Sequence, residues 1–171
     1  MRGSALLEQM GQIDKRLLLE TLVAKLSAEL DRAKSQAHDA ASGATHEENR
    51  AESDKDMRST EASYVARGHA ERTAKLEQAL ALLSRMEMQE FPRGAEIKAS
   101  ALVTLEQGSK STTYFLVVAA GGERLTIAGQ SLQTLATTSP LGQALLGLTE
   151  GDEAEVESPQ GPRRYAIAAV A

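Results

Sequence analysis

Two stripes of small and apolar residues, each stepping alternately by four and three, constrain this chain more than any other feature it carries. The first runs Leu19, Val23, Leu26, Leu30, Ala33, Ala37, Ala40, and the second runs Ala62, Ala66, His69, Thr73, Leu76, Leu80, Leu83. This spacing keeps one helical face turned toward a partner helix, as a coiled-coil seam requires. Gly43 weakens helical propensity between the stripes. The expected element is an antiparallel α-helical coiled-coil hairpin over residues 13–90, preceded by an N-terminal segment, residues 1–12. Pairing Leu19 with Leu83, Leu26 with Leu76 and Ala40 with Ala62 centres the hairpin near Ala51. The seam is leucine-rich at its open end and alanine-rich toward the turn, which predicts a thin tip where the helices approach closely. Helices of about 30 residues rise roughly 45 Å. His69 is a polar residue in the seam, a placement that more often fixes register than performs chemistry.

The turn is acidic. Glu47, Glu48, Glu52, Asp54 and Asp56 fall within ten positions, offset only by Arg50 and Lys55. Carboxylate oxygens are the hard ligands that Mg²⁺ prefers, usually one or two of them with waters and substrate phosphate completing the shell. An EF-hand is excluded, because Met57 stands where the turn glycine belongs and Ser63 where the bidentate Glu belongs. The plain alternative is a solvated acidic bend that keeps the tip soluble.

After Phe91 and Pro92 the period changes from 3.5 to 2: Ile97, Ala99, Ala101, Val103 and Leu105 alternate with Lys98, Ser100, Leu102 and Thr104. A turn at Gln107 to Lys110, a strand from Thr113 to Ala119, a turn at Gly121 and Gly122, and a short strand from Leu125 to Ile127 follow. Ser139 then caps a helix and Pro140 fills its first position, where no backbone donor is needed. Leu141, Leu145 and Leu146 are expected to bury one face of it, and Gly147 ends it. Strands at Glu153 to Glu157 and Tyr165 to Val170 flank a turn at Pro159 to Pro162. Short strands closing over one helix make residues 91–171 a compact domain, and the whole chain α+β.

The run Ser139, Pro140, Leu141, Gly142, Ala144, Leu145, Leu146, Gly147, then Gly151, Asp152, Glu155, Val156, followed by Pro159, Gly161, Tyr165 and Ile167, resembles the C-terminal domain of the bacterial Gre transcript-cleavage factors. In that family an S-P-L-G-x-A-L-L-G helix precedes G-D-x-x-E-V and a closing hairpin. The resemblance implies an FKBP-like C-terminal domain that docks at the rim of the RNA polymerase secondary channel. It also implies a hairpin that enters the channel with acidic tip residues in a D-x-x-E-N-x-E-Y setting. There they help bind a second Mg²⁺ for hydrolysis of backtracked RNA, a reaction of the polymerase's own active centre.

Glu48 and Asn49 match the E-N pair, Glu52 lies one residue late, Thr45 replaces the leading Asp, and Ser53 replaces the aromatic. An offset register makes Glu52, Asp54 and Asp56 the metal-binding cluster, supported by Glu47 or Glu48; the two registers stay open. The docking loop falls at Ala120 to Leu125, with Gly121, Gly122, Glu123 and Arg124 as its polymerase-binding residues and without the family's usual Asp after the Glu.

Charge agrees with a protein partner rather than direct nucleic-acid binding. The net −5 divides into −3 over residues 1–90 and −2 over residues 91–171, so neither half has the Lys/Arg surplus that phosphate neutralisation needs. RNA and DNA are therefore expected to be met only indirectly, through the elongation complex. The chain has no Cys, which excludes disulfides and thiolate sites. His38, His46 and His69 form no local ligand pair for zinc. No apolar stretch approaches the ~20 residues of a membrane helix, so the expected setting is the cytoplasm, away from any membrane.

Three functions remain. The first is a Gre-like elongation factor that activates the polymerase's RNA hydrolysis without being an independent enzyme, and the second a channel-occupying regulator or inhibitor that does not promote cleavage. The third, a peptidyl-prolyl isomerase, would have only Phe91, Tyr114, Phe115 and Tyr165 to line an aromatic cavity. Likeness of fold does not carry that chemistry over.

Overall fold

The computed structural model describes residues 10–47, 55–127 and 129–171, with side chains omitted from 40 to 62. Its order is α1 (Lys15–Glu47), α2 (Lys55–Leu83), β1 (Leu102–Gln107), β2 (Lys110–Val117), β3 (Arg124–Ile127), β4 (Gln130–Ala136), α3 (Pro140–Leu145), β5 (Glu153–Val156) and β6 (Arg163–Val170). The fold is α+β: a helical region followed by a mixed six-stranded sheet ordered β3-β4-β2-β1-β6-β5. Only β2 and β4 pair parallel; the other neighbours are antiparallel.

The described residues form two compact units: those up to Leu22 together with Leu82–Ala171, and Val23–Ala81. The division falls at 22/23 and 81/82, and β1 shows why residues before 23 belong with the sheet. Leu102, Val103, Thr104 and Leu105 are all buried, and four consecutive buried strand residues require cover on both sheet faces. One face carries Val103, Leu105, Leu116 and Ile167, packed with Leu145 of α3. The opposite face carries Thr104, whose hydroxyl donates to the Met10 sulfur at 3.2 Å and shares a 2.9 Å hydrogen bond with Thr113. Met10, Ile13, Leu18, Leu22 and Leu83 are buried in this same unit.

Asp14 starts α1, its Oδ1 accepting from the amides of Arg16 and Leu17. Lys15 donates to the Gln89 carbonyl at 2.6 Å and lies 4.7 Å from the Phe91 ring centroid. Burial lowers its pKa, partly opposed by the carboxylate of Glu90. The Gln89 amide in turn donates to Ser100 Oγ at 2.9 Å, and Ser100 itself adopts a positive φ of 73°. The expected strand from Ile97 therefore starts late: Ala99 and Ser100 form a turn, and β1 begins only at Leu102.

In the second unit α1 and α2 are joined by ion pairs, Glu29 with Arg72 and Lys34 with Glu77, the latter at 2.8 Å. A parallel arrangement bringing Glu29 to Arg72 would leave about 50 Å between the helix ends, and the connecting residues span at most about 28 Å. The pair is antiparallel. Glu29 and Arg72 each precede a seam residue, Leu30 and Thr73; Lys34 and Glu77 each follow one, Ala33 and Leu76. The two bridges thus bracket the layers Leu30–Leu76 and Ala33–Thr73, a register that places Leu26 opposite Leu80.

This corrects the expected Leu26–Leu76 pairing by four residues. Ascending one stripe and descending the other, the steps of three and four coincide in the bracketed register, whereas the earlier pairing set a four against a three. Both partners of Lys34–Glu77 are about half exposed, so the bridge specifies alignment more than it stabilises. Ala66, expected in the seam, is exposed. Because the chain has no cysteine, Leu26→Cys with Leu80→Cys should form a disulfide readily on mild oxidation, and Leu26→Cys with Leu76→Cys should not. Mobility on a non-reducing gel with intramolecular mapping checks it.

Candidate functional site

Two regions were expected to act, the acidic turn and the loop before the third strand. Glu47 is the last residue of α1 and Asp56 the second of α2, so the antiparallel pair brings their backbones to the same end. Glu48, Glu52 and Asp54 lie outside the described residues, as do the side-chain positions of Glu47 and Asp56. Among the described residues no three His, Cys, Asp or Glu side chains converge as a metal site, and no helix is long and apolar enough to cross a membrane.

The loop is defined in detail. β2 ends at Val117 and β3 begins at Arg124, so Gly121, Gly122 and Glu123 form the turn, with Arg124 the first strand residue. Gly121, Gly122 and Arg124 are exposed and Glu123 half-buried. Ala120 takes a left-handed φ of 59° and Gly122 one of 96°, the former a conformation that non-glycine residues adopt at a cost. Gly121 is obligatory for another reason: a Cβ there would lie 2.5 Å from the Ala136 amide nitrogen. The Gly122 amide donates to the Thr134 carbonyl at 2.7 Å, and the Thr134 amide to the Glu123 carbonyl at 2.8 Å. The exposed glycines therefore ride on a turn fastened to β4.

The motif helix α3 sets the end of that platform. Ser139 Oγ accepts from the Gly142 amide at 3.1 Å and donates to the Ala136 carbonyl at 2.7 Å, and Pro140 opens the helix as expected. Leu145 is fully buried and Leu141 packs on the core, but Leu146 is 42% exposed. The helix stops at Leu145, so Leu146 leaves the buried face, and Gly147 turns the chain at φ 81°. Downstream, Asp152 Oδ2 accepts from the amide and hydroxyl of Thr149, Gly151 has φ 95°, and Arg164 pairs with Glu155 at 2.7 Å.

The four aromatic residues considered for a proline cavity are divided between the two faces of the sheet, Phe91, Tyr114 and Tyr165 against the α3-side core and Phe115 on the other. Tyr114 and Tyr165 pack on the α3 side, where burial and then the neighbouring Tyr165 raise the pKa of Tyr114. Phe115, next along the same strand, is fully buried on the opposite face, and Phe91 lies under Lys15.

Sequence reasoning missed β4 and with it Thr134, which is 1% exposed. The available signal was faint: Leu132 and Thr134 alternate inward, but Gln130, Ser131 and Gln133 make the segment read as a polar loop. It also missed the burial of Met10, although Leu6, Met10 and Ile13 step by four and three in the sequence.

Residues 93–171 match the family described as transcription elongation factor, GreA/GreB, C-term. The chain is 34% identical over 101 residues to transcription elongation factor GreA of Verminephrobacter eiseniae, an alignment covering 58% of this chain and 60% of that relative. It thus spans well under two thirds of the relative's length. Among solved structures it is similar to Gfh1 of Thermus aquaticus, at 21% identity and TM-score 0.36 over 86% of this chain and 92% of the other. It is also similar to GreA/GreB of Nitrosomonas europaea, at 26% identity and TM-score 0.34 over 56% of this chain and 78% of the other.

Proposed function

We propose that this chain, whose residues 93–171 match the GreA/GreB C-terminal family, is a member of that family that binds bacterial RNA polymerase at the secondary channel and stimulates cleavage of backtracked RNA. The observation that carries this reading is the match of residues 93–171, within which Ser139, Pro140 and Gly142 each have a defined structural task. The Gly121–Arg124 turn is the docking surface. A protein partner suits it better than RNA or DNA, since the chain is acidic overall. Nucleic acid is met only within the elongation complex, in the cytoplasm.

The tip carboxylates then have a use. Glu52, Asp54 and Asp56, or Glu47 and Glu48 in the alternative register, would hold Mg²⁺ jointly with the polymerase, a donor set of hard oxygens that suits this ion. A second Mg²⁺, when bound, supplies positive charge that favours water as a nucleophile toward RNA phosphate. The carboxylates also orient water by accepting its protons in hydrogen bonds. The chain contributes ligands to the polymerase's hydrolysis and is not an enzyme by itself. Thr45 and Ser53, which depart from the family's tip pattern, favour a second reading in which the hairpin occupies the channel and restrains the polymerase without promoting cleavage.

Binding is tested with immobilised core polymerase and the full chain. Retention that a GreA protein competes away supports a shared channel site. Absence of retention at micromolar concentrations removes both readings.

A further inference from the structure

We infer that Thr134 is a positioning residue that holds the Gly121–Arg124 turn in its docking conformation, an inference that rests on the docking reading above. Thr134 is almost completely buried, and its hydroxyl sits at the centre of the turn. Oγ1 donates to the Ala120 carbonyl at 2.6 Å and accepts from the Glu123 amide at 2.9 Å. Both backbone groups lie on either side of the two glycines, before the β3–β4 pairing that starts at Arg124. The hydroxyl therefore supplies the hydrogen bonds that the sheet cannot. It also holds Ala120, whose left-handed φ of 59° stores strain that relaxes if its carbonyl is released.

The alternative of an ordinary strand residue fails on chemistry. A buried position facing Leu125 and Leu132 on β3 and β4 is apolar in kind, and valine would fill it with the same shape. A hydroxyl at such a place is costly unless fully paired, and here both of its hydrogen-bonding capacities are used on one turn. Thr134→Val removes only those two bonds. The backbone bonds of Thr134 to Gly122 and Glu123, and the β2–β4 pairing of Phe115 with Thr134, stay available.

The test uses the full chain in four forms: wild type, Thr134→Val, Thr134→Ser, and Glu123→Ala with Arg124→Ala. Two quantities are read, hydrogen exchange at the Glu123 amide in the free protein and affinity for core polymerase. Thr134→Val should speed Glu123 exchange and weaken affinity by about tenfold each, the effect of losing a buried, well-paired hydroxyl. Thr134→Ser, which retains the oxygen, should restore both. Should Thr134→Val not fold, Thr134→Ala is read in its place.

Wild-type affinity that falls in the Glu123/Arg124 variant but not in Thr134→Val overturns this inference alone. Wild-type binding indifferent to both overturns the docking role of the turn and this inference with it. Failure of the wild type to bind defeats the docking reading itself. Unchanged Glu123 exchange in Thr134→Val overturns the positioning role whatever the affinity.

Discussion

Gly142→Ala is expected to destabilise the sheet-containing unit by about 3 kcal/mol, the upper part of the range for overpacking, and to lower its unfolding temperature by roughly 10 °C or more. A Cβ at this position would lie 2.1 Å from the Ala136 carbonyl oxygen and 3.0 Å from its carbon. That carbonyl has no freedom to retreat, since it already accepts from the Ser139 amide at 3.0 Å and the Ser139 hydroxyl at 2.7 Å. Either the cap breaks or α3 lifts from the sheet, and Leu145 is fully buried beneath it. Gly68→Ala is the control of opposite sign. Its Cβ would meet nothing within 4 Å and the residue lies inside α2, so it should stabilise by up to about 1 kcal/mol. Thermal unfolding followed by circular dichroism reads both. A Gly142→Ala protein as stable as wild type would show that the helix does not rest on β4 as described.

Replacing Glu52, Asp54 and Asp56 together by alanine is expected to reduce cleavage stimulation to the polymerase's own background while leaving affinity within about threefold of wild type. The argument is one of location and chemistry. In sequence these residues fall between the two stripes of the seam, and three carboxylates in five positions repel one another unless a cation meets them. Glu47→Ala with Glu48→Ala tests the other register in the same assay. Loss of stimulation in the second pair and not in the triple variant moves the working cluster to the end of α1. Stimulation that survives both sets returns the tip to a solvated acidic bend.

The legible parts of the fold were those decided within a few residues. The change of period after Phe91 and Pro92 announced helices followed by sheet, and Ser139 with Pro140 announced α3, because caps and amphipathic spacing are local physics. Gly142 could be read as part of a motif but not explained, since its reason is a carbonyl on another element. The hairpin was visible, yet its register was four residues out. Two stripes of equal step admit several alignments, and only the ion pairs from Glu29 and Lys34 select one. Leu18 and Leu22, both fully buried, lay outside the stripe and belong to the sheet unit. β4 escaped notice because one of its two buried residues is Thr134, a polar side chain whose hydroxyl is paired to the turn before β3. Of the proposed site, the turn from Gly121 to Arg124 lies between β2 and the start of β3, whereas Glu48, Glu52 and Asp54 lie outside the described residues.

The most direct measurement uses a polymerase elongation complex stalled and backtracked on a defined template, with RNA labelled at its 5′ end, to which the full chain is added in the presence of Mg²⁺. The account predicts shortening of the RNA from its 3′ end, at a rate that saturates with the concentration of the chain and falls to background with the triple tip variant. RNA of unchanged length at saturating chain, in a complex where binding is confirmed, would contradict cleavage stimulation and leave the hairpin as an occupant of the channel.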